Sequence, residues 1–219
     1  AAYTPLTFTD PSSNAIWVLG DVASDDAIKG GLPGDQADFE NVDEFNINPS
    51  NAAVEAVWQR YYDGVFKCNV VLDGLSSSNS AITASVRTEC LGQASFLRAY
   101  YYFVLTNCYG DIPLHLKVET PEELQSPAIP RADIFLQIEA DCRQAINDLP
   151  LSWQGADLGR ATKGAAMALL SKAYLFQQKW DSAATEAEAV EALGIYTLLP
   201  KYSDNFNQDT KDNTEAIFS

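Results

Sequence analysis

Enzymatic chemistry needs a nucleophile, an acid–base pair, a metal-ligand set or a phosphate cradle, and this 219-residue chain offers few starting points. Its one histidine, His115, sits in Leu114-His115-Leu116. Any Ser-His-Asp or Cys-His site would have to use it, and no nucleophile elbow surrounds it. A single histidine also excludes every multi-histidine metal site. His115 therefore reads as a structural or exposed residue. Carboxylates are abundant, 30 Asp and Glu in all, so chance pairs such as Asp25-Asp26 and Asp43-Glu44 imitate a glycosidase dyad. Solvated loop acids are the favoured reading. Asp35, Asp38, Glu40 and Asp43 supply the hard oxygens that suit calcium, but not at EF-hand spacing. No cofactor is expected; calcium in this loop is the one ion left open. Cys68, Cys90, Cys108 and Cys142 lack metal spacing. Cys90 and Cys108 are five helical turns apart, roughly 27 Å, so they cannot bond to each other. Small buried thiols are favoured over a disulfide of Cys68 with Cys90 or Cys108.

Two arginines and a set of rings remain. Arg98 interrupts the apolar run Phe96-Leu97-Arg98-Ala99-Tyr100, and a buried arginine needs a partner. A structural ion pair with a carboxylate on a neighbouring helix or turn is expected, with Asp63 and Asp111 as candidates, a ligand contact being the alternative. Arg160 stands at a helix start, where its charge opposes the dipole, so a loop carboxylate or carbonyl should hold it. Trp58, Tyr61, Tyr101, Tyr174 and Trp180 fall on apolar helix stripes and are expected to pack. Trp17, Phe39, Phe45 and Trp153 fall in loops. Those four are the candidate ligand-binding rings, because sugar faces stack on exposed aromatics; the competing role is to anchor a long loop.

Composition narrows the class. The net charge is −16, from 14 Lys+Arg against the 30 acids. That excludes a nucleic-acid binder, which needs clustered cations, and a basic membrane patch. A hydrophobic fraction of 47% indicates a folded globular chain. Half of the charge lies in residues 1–50: Asp10, Asp21, Asp25, Asp26, Asp35, Asp38, Glu40, Asp43 and Glu44 against Lys29 alone. With its glycines and prolines this segment reads as loop-rich. No apolar run reaches transmembrane length.

The elements that must position these residues are helical. Ser50 or Asn51 can cap a helix over 52–72, with Val54, Val57, Tyr61, Val65, Cys68 and Leu72 in register. Gly74 and the run Ser76 to Ser80 make a turn. A helix over 83–109 carries two apolar stripes, so it is central, and Gly110 ends it. Residues 117–130 connect to a third helix, 131–149. Thr162 caps a fourth to about 177, and a tight turn leads to a fifth, 180–193. Tyr196–Leu199 and the final Glu215–Ser219 read as short strands. Helices four and five place Leu170, Ser171, Tyr174, Trp180, Ala183, Ala187 and Val190 at tetratricopeptide offsets. The helices over 83–109 and 131–149 suggest a second unit, since one repeat cannot bury its face alone.

Several blocks then converge. The run from Glu89 through Phe96-Leu97-Arg98-Ala99-Tyr100 to Tyr109-Gly110-Asp111-Ile112-Pro113-Leu114 resembles the "E..FLRA..Y..L...YGD.PL" hallmark of SusD/RagB-like proteins. Gly159-Arg160-Ala161-Thr162-Lys163-Gly164-Ala165-Ala166 resembles the family's "GRATKGAA" helix start. Trp58 to Val65 with Asn69 resembles "W...Y.GI...N", and Asn213 to Phe218 resembles "N.E.IF". Trp17 to Asp26 resembles an early "SD" segment. The blocks occur in the family's order over nearly the whole chain.

The resemblance implies an all-α fold: tetratricopeptide-like helix pairs in a right-handed helical scaffold, with long irregular loops and little strand. Residues 1–219 would form a single N-terminal SusD-like domain. It would comprise an acidic loop segment (1–50), the scaffold (51–195) and a truncated strand region (196–219), without the family's C-terminal half. The implied function is non-catalytic capture of oligosaccharides at the outer membrane, surface-exposed and lipid-anchored, for import through a SusC-type TonB-dependent transporter. Anchor and signal peptide would lie outside this sequence. No residue matches a family ligand motif, so Trp17, Phe39, Phe45 and Trp153 stand as ligand candidates on their own placement. Arg98, Arg160, Trp58, Tyr174 and Trp180 are assigned to structure. The alternatives are a peptide-binding member, a tetratricopeptide protein-interaction module, and a glycosidase. The module is opposed by the long connections, and the glycosidase by the lone histidine and unpaired acids.

Overall fold

A computed structural model describes residues 2–7, 15–76, 82–210 and 213–218. Asp10, Ser77 to Ser80 of the expected turn, and Ser219 lie outside the described residues. Seven α-helices are described: α1 (Ala15–Trp17), α2 (Ala37–Asp43), α3 (Ala52–Ser76), α4 (Ala84–Tyr109), α5 (Arg131–Asp148), α6 (Lys163–Phe176) and α7 (Trp180–Ala192). The fold is all-α.

The long helices begin and end where local chemistry dictates. Asn51 is fully buried; its Oδ1 accepts from Ala53 N and Val54 N at the first turn of α3, and its Nδ2 donates to Asp38 O. Thr83 and Thr162 cap α4 and α6 through their hydroxyls. Gly110 closes α4 at φ +77, a backbone region that excludes most side chains. Asp111 Oδ1 then accepts from Arg131 N at the start of α5, 2.8 Å away. The "YGD" block thus both stops one helix and starts the next.

The helices pack in series, α3 on α4, α4 on α5, α5 on α6, and α6 on α7. The α6–α7 turn spans three residues, with Gln178 at φ +62, which makes that pair an antiparallel hairpin. As its two stripes require, α4 is central: Ala94, Phe96, Leu97, Ala99, Tyr101, Tyr102 and Leu105 are all buried. Gly64 lets α3 approach it. A Cβ there would lie 2.6 Å from the Tyr101 ring, so any larger residue must push the helices apart. Residues 2–7 lie against this layer, held by Tyr101 Oη to Ala2 O (2.6 Å) and Arg60 Nε to Pro5 O (2.6 Å).

Four expectations change. The acidic segment is not only loop: α1 continues into a π-turn at Val18–Val22, and α2 packs against it around Val18, Val22 and Val42. Residues 196–199 and 215–218 form no strand; Thr197 N bonds Thr214 O, but the Leu199 N–H is taken by the Glu215 carboxylate, so no ladder develops. The described residues contain one isolated bridge, Ile112 with Ile129. Arg98 pairs with Asp141 of α5, not with Asp63 or Asp111. Trp180, placed on a core stripe by its repeat position, is 59% exposed because it is the first residue of α7.

Candidate functional site

The small layer built from α1, the π-turn and α2 rests on α3, and its inner surface holds Val18, Val22 and Val42 with Phe39 packed on them. Phe39 is therefore an anchor. Trp17 and Phe45 are not: they remain 50% and 73% exposed. Phe45 has φ +54, a left-handed backbone that costs an aromatic residue about 1 kcal/mol or more. Its N–H bonds Val42 O and continues the end of α2 into a turn. Ile28, Leu32 and Ile47 are also exposed here. Sequence reasoning missed these three; their signal was an apolar side chain beside Gly30, Pro33 and Asn48, where no periodicity buries it.

The electrostatics of this layer are one-sided. Lys29 is its only cation, and the Lys29 side chain is turned inward at 7% exposure. Its Nζ donates to Leu32 O (3.0 Å) and lies 4.0 Å from Glu40, while its N–H bonds Asp43. What faces solvent is Asp21, Asp25, Asp26, Asp35 and Glu44. Ionised carboxylates only accept hydrogen bonds. Exposed rings beside acceptors suit a neutral, hydroxyl-rich ligand with C–H faces, and repel phosphate or nucleic acid.

Trp153 stands apart from the other three rings. It walls a hollow of about 210 Å³ with Leu158, Arg160, Tyr196, Thr214 and Phe218. Its Nε1–H donates to Ala161 O at 2.8 Å, and the Arg160 guanidinium lies 5.9 Å from the ring centre. Arg160 itself pairs with Asp157 at 2.7 Å. The ring pins the 151–162 loop to the start of α6.

The remaining singled-out residues serve the scaffold. Trp58 stacks with Tyr62 and Tyr109. Tyr174 accepts from Arg143 and carries Lys179 over its ring. Cys68 and Cys142 are buried thiols, and burial raises both, Cys68 to about 12. Against expectation Cys108 is exposed and Cys90 half-buried, because their face of α4 turns away from the core. All four are free. Among the described residues no group of three or more His, Cys, Asp or Glu is placed to hold a metal ion, and no helix is long and apolar enough to cross a membrane.

Residues 8–175 match the SusD-like family model described as "Starch-binding associating with outer membrane". A SusD-like protein of Formosa agariphila is 25% identical over 175 residues, 80% of this chain and 33% of the relative. Among solved structures, a laminarin-binding SusD-like protein is 31% identical, with a TM-score of 0.87 over 94% of this chain and 46% of its own. A SusD-like protein of Bacteroides fragilis is 28% identical, with a TM-score of 0.87 over 99% of this chain and 42% of its own. The chain spans about a third of the curated relative and under half of these solved ones.

Proposed function

Since the chain belongs to the SusD-like family, whose members bind starch and associate with the outer membrane, we propose that it captures oligosaccharides without catalysis at the cell surface. It does so as part of a lipid-anchored protein that hands the glycan to a SusC-type TonB-dependent transporter. The observation that carries this reading is the match to a laminarin-binding protein over nearly the whole chain. Two features of the chain support it. Trp17 and Phe45 present rings to solvent, one of them on a strained backbone. Among the described residues of this layer the surface offers carboxylates, and its one cation, Lys29, is turned inward. Stacking on the rings and hydroxyl bonds to the acids then hold the sugar, with no metal.

Calorimetry with laminarihexaose and maltohexaose tests this. Trp17→Ala and Phe45→Ala should each weaken binding about ten-fold, ~1.4 kcal/mol. A chelator should leave affinity unchanged; loss of binding on chelation would bring calcium back. Unaltered affinity in both variants would remove these rings from the site, and turnover of the glycan would overturn the non-catalytic reading. Co-purification with a TonB-dependent transporter encoded beside the gene tests the partner. Capture of a soluble peptide partner instead would favour the interaction-module alternative.

A further inference from the structure

Trp58, Tyr62 and Phe66 recur every fourth residue of α3, so they climb one helix face with a rise of about 6 Å between them. Opposite them runs the chain that leaves α4. His115, Glu119 and Leu124 of that segment complete a hollow of about 330 Å³ with the three rings. That is the size of a small-molecule site, and its composition is the usual one, apolar walls with a few polar groups. Phe66 and Leu124, each about half exposed at 50% and 51%, form the mouth.

His115 is the polar group within. It is only 8% exposed. Its backbone is fixed, the N–H donating to Tyr102 Oη and the carbonyl accepting from Asn69 Nδ2 and Tyr102 Oη. Its Nδ1 engages the Glu119 carboxylate. Glu119 takes up Nδ1, and Nε2 is left as the ring's open nitrogen. Nε2 has no hydrogen bond to any described residue. A nine-tenths buried imidazole with one open nitrogen, lining a ring-walled hollow, suits a hydroxyl, which can donate to a neutral imidazole or accept from a protonated one.

We propose that this hollow is a second sugar subsite, which takes a neutral pyranose unit against Phe66 and beside His115. The glycan-binding reading supplies the ligand class; the rings Trp17 and Phe45 play no part in the argument. The sugar's C–H face lies on Phe66, the ring at the mouth, and one hydroxyl bonds Nε2. An aliphatic side chain would satisfy the rings and leave Nε2 unmet. A phosphate or carboxylate would meet the Glu119 carboxylate, while the nearby cation, Lys117, is engaged by Glu123 at 2.7 Å.

The chain's single histidine makes the test direct, since its imidazole gives one unambiguous NMR signal. The 219-residue chain is titrated with laminarihexaose and with maltohexaose while His115 Cε1–H is followed. Sugar should move this signal saturably in the wild type and in Trp17→Ala. Phe66→Ala should raise the midpoint about ten-fold, and His115→Gln should weaken calorimetric binding at this site by a similar factor. Phe66 is surface-exposed, so its variant should keep the wild-type circular dichroism. Binding heat without movement of the His115 signal would overturn the subsite and leave the glycan reading standing. Neither heat nor movement with either sugar would bring down both. Movement with N-acetylphenylalaninamide but not sugar would assign the hollow to an apolar side chain. Movement with protein concentration alone would assign it to a second copy. Either result overturns the proposal.

Discussion

Asp141→Asn should be among the most damaging conservative substitutions in this chain. Arg98 and Asp141 are 8% and 4% exposed, and they meet in a two-point bond: Nε to Oδ2 and Nη2 to Oδ1, both 2.8 Å. Nη1 donates to Asn69 Oδ1 (2.9 Å) and Leu116 O (3.1 Å). Burial by itself would push the guanidinium's pKa down, and the Asp141 bond outweighs it and leaves the group above its usual value. Asparagine keeps the shape but removes the countercharge. Breaking a buried pair on one side costs about 3–5 kcal/mol. The lower end applies here, since Arg98 keeps Asn69 and Leu116 and the pair borders a hollow open to water. In a domain of this size ~3 kcal/mol lowers Tm by roughly 6–12 °C.

Urea unfolding followed by circular dichroism measures the loss, with two controls. Asp63→Asn removes an exposed pair with Lys67, four residues on in the same helix, and should cost no more than about 0.5 kcal/mol. The double variant Arg98→Met/Asp141→Leu replaces the pair with apolar volume and should recover most of what Asp141→Asn loses. A loss below about 1 kcal/mol in Asp141→Asn, or a double variant no better than the single, would refute the claim that charge neutralisation in the core is what this pair contributes.

Three further outcomes follow from the geometry. Burial would raise the Glu139 carboxyl, but bonds from Lys179 (2.5 Å), Gln177 (2.8 Å) and Arg143 (2.8 Å) outweigh it and hold it below the ordinary range. A lowered folded-state pKa gives stability that is complete above the unfolded value and lost as pH falls through the folded one. The stability gap between wild type and Glu139→Gln should therefore be full at neutral pH and shrink below about pH 4 in paired urea melts. In native protein at pH 8, a maleimide should label Cys108 first and Cys90 more slowly, with Cys68 and Cys142 reacting only after denaturation, as mass spectrometry of the adducts would show. Trp180→Ala should change stability by under about 1 kcal/mol, because the ring is mostly in solvent; a loss of 3 kcal/mol, as for a core tryptophan, would restore the expected packing role.

Most helix limits were legible because single residues set them; the end of α3 was not, since the helix runs through Gly74 to Ser76, past the expected stop at 72. Asn51, Thr83 and Thr162 cap, and Gly110 stops, by bonds that reach only a few positions along the chain. Arg98's need for a carboxylate was equally legible, since an arginine in an apolar stripe demands one. Which carboxylate was not, because Asp141 is 43 residues away and faces Arg98 only through the register of α4 against α5. The layer of α1 and α2 was hidden for another reason: helices of three and seven residues are too short to show a 3.6-residue period. His115 gave no sign of Glu119, four residues on, because the segment between them is not helical. Trp180 fitted a repeat offset that counts positions and ignores that the first residue of a helix lies at the end of the pair.

In the resembling blocks of α3, α4 and its exit, and α6, most polar groups are engaged; the early block from Trp17 to Asp26 is the exception, with Asp21, Asp25 and Asp26 exposed. Asn69 uses both ends of its amide, accepting from Arg98 and donating to His115 O and Lys117 O. Asp111 holds the start of α5, Thr162 the start of α6, and Arg160 its own loop through Asp157. Such residues explain why the fold can be recognised from sequence, and for the same reason they offer little to a ligand. Unused capacity lies elsewhere. It is found in the faces of Trp17 and Phe45, in the carboxylates around them, and in Nε2 of His115. The first two stand on a layer with its own small core, joined to the scaffold through Val54, Ile16, Leu19 and the Asn51 bond, the third on the connection between α4 and α5. On the proposed reading, ligand choice can change through the exposed side chains of residues 15–47 and 113–124, while the bonds that tie those segments to the helices, such as Asn51 to Asp38 O and Asn69 to His115 O, stay in place.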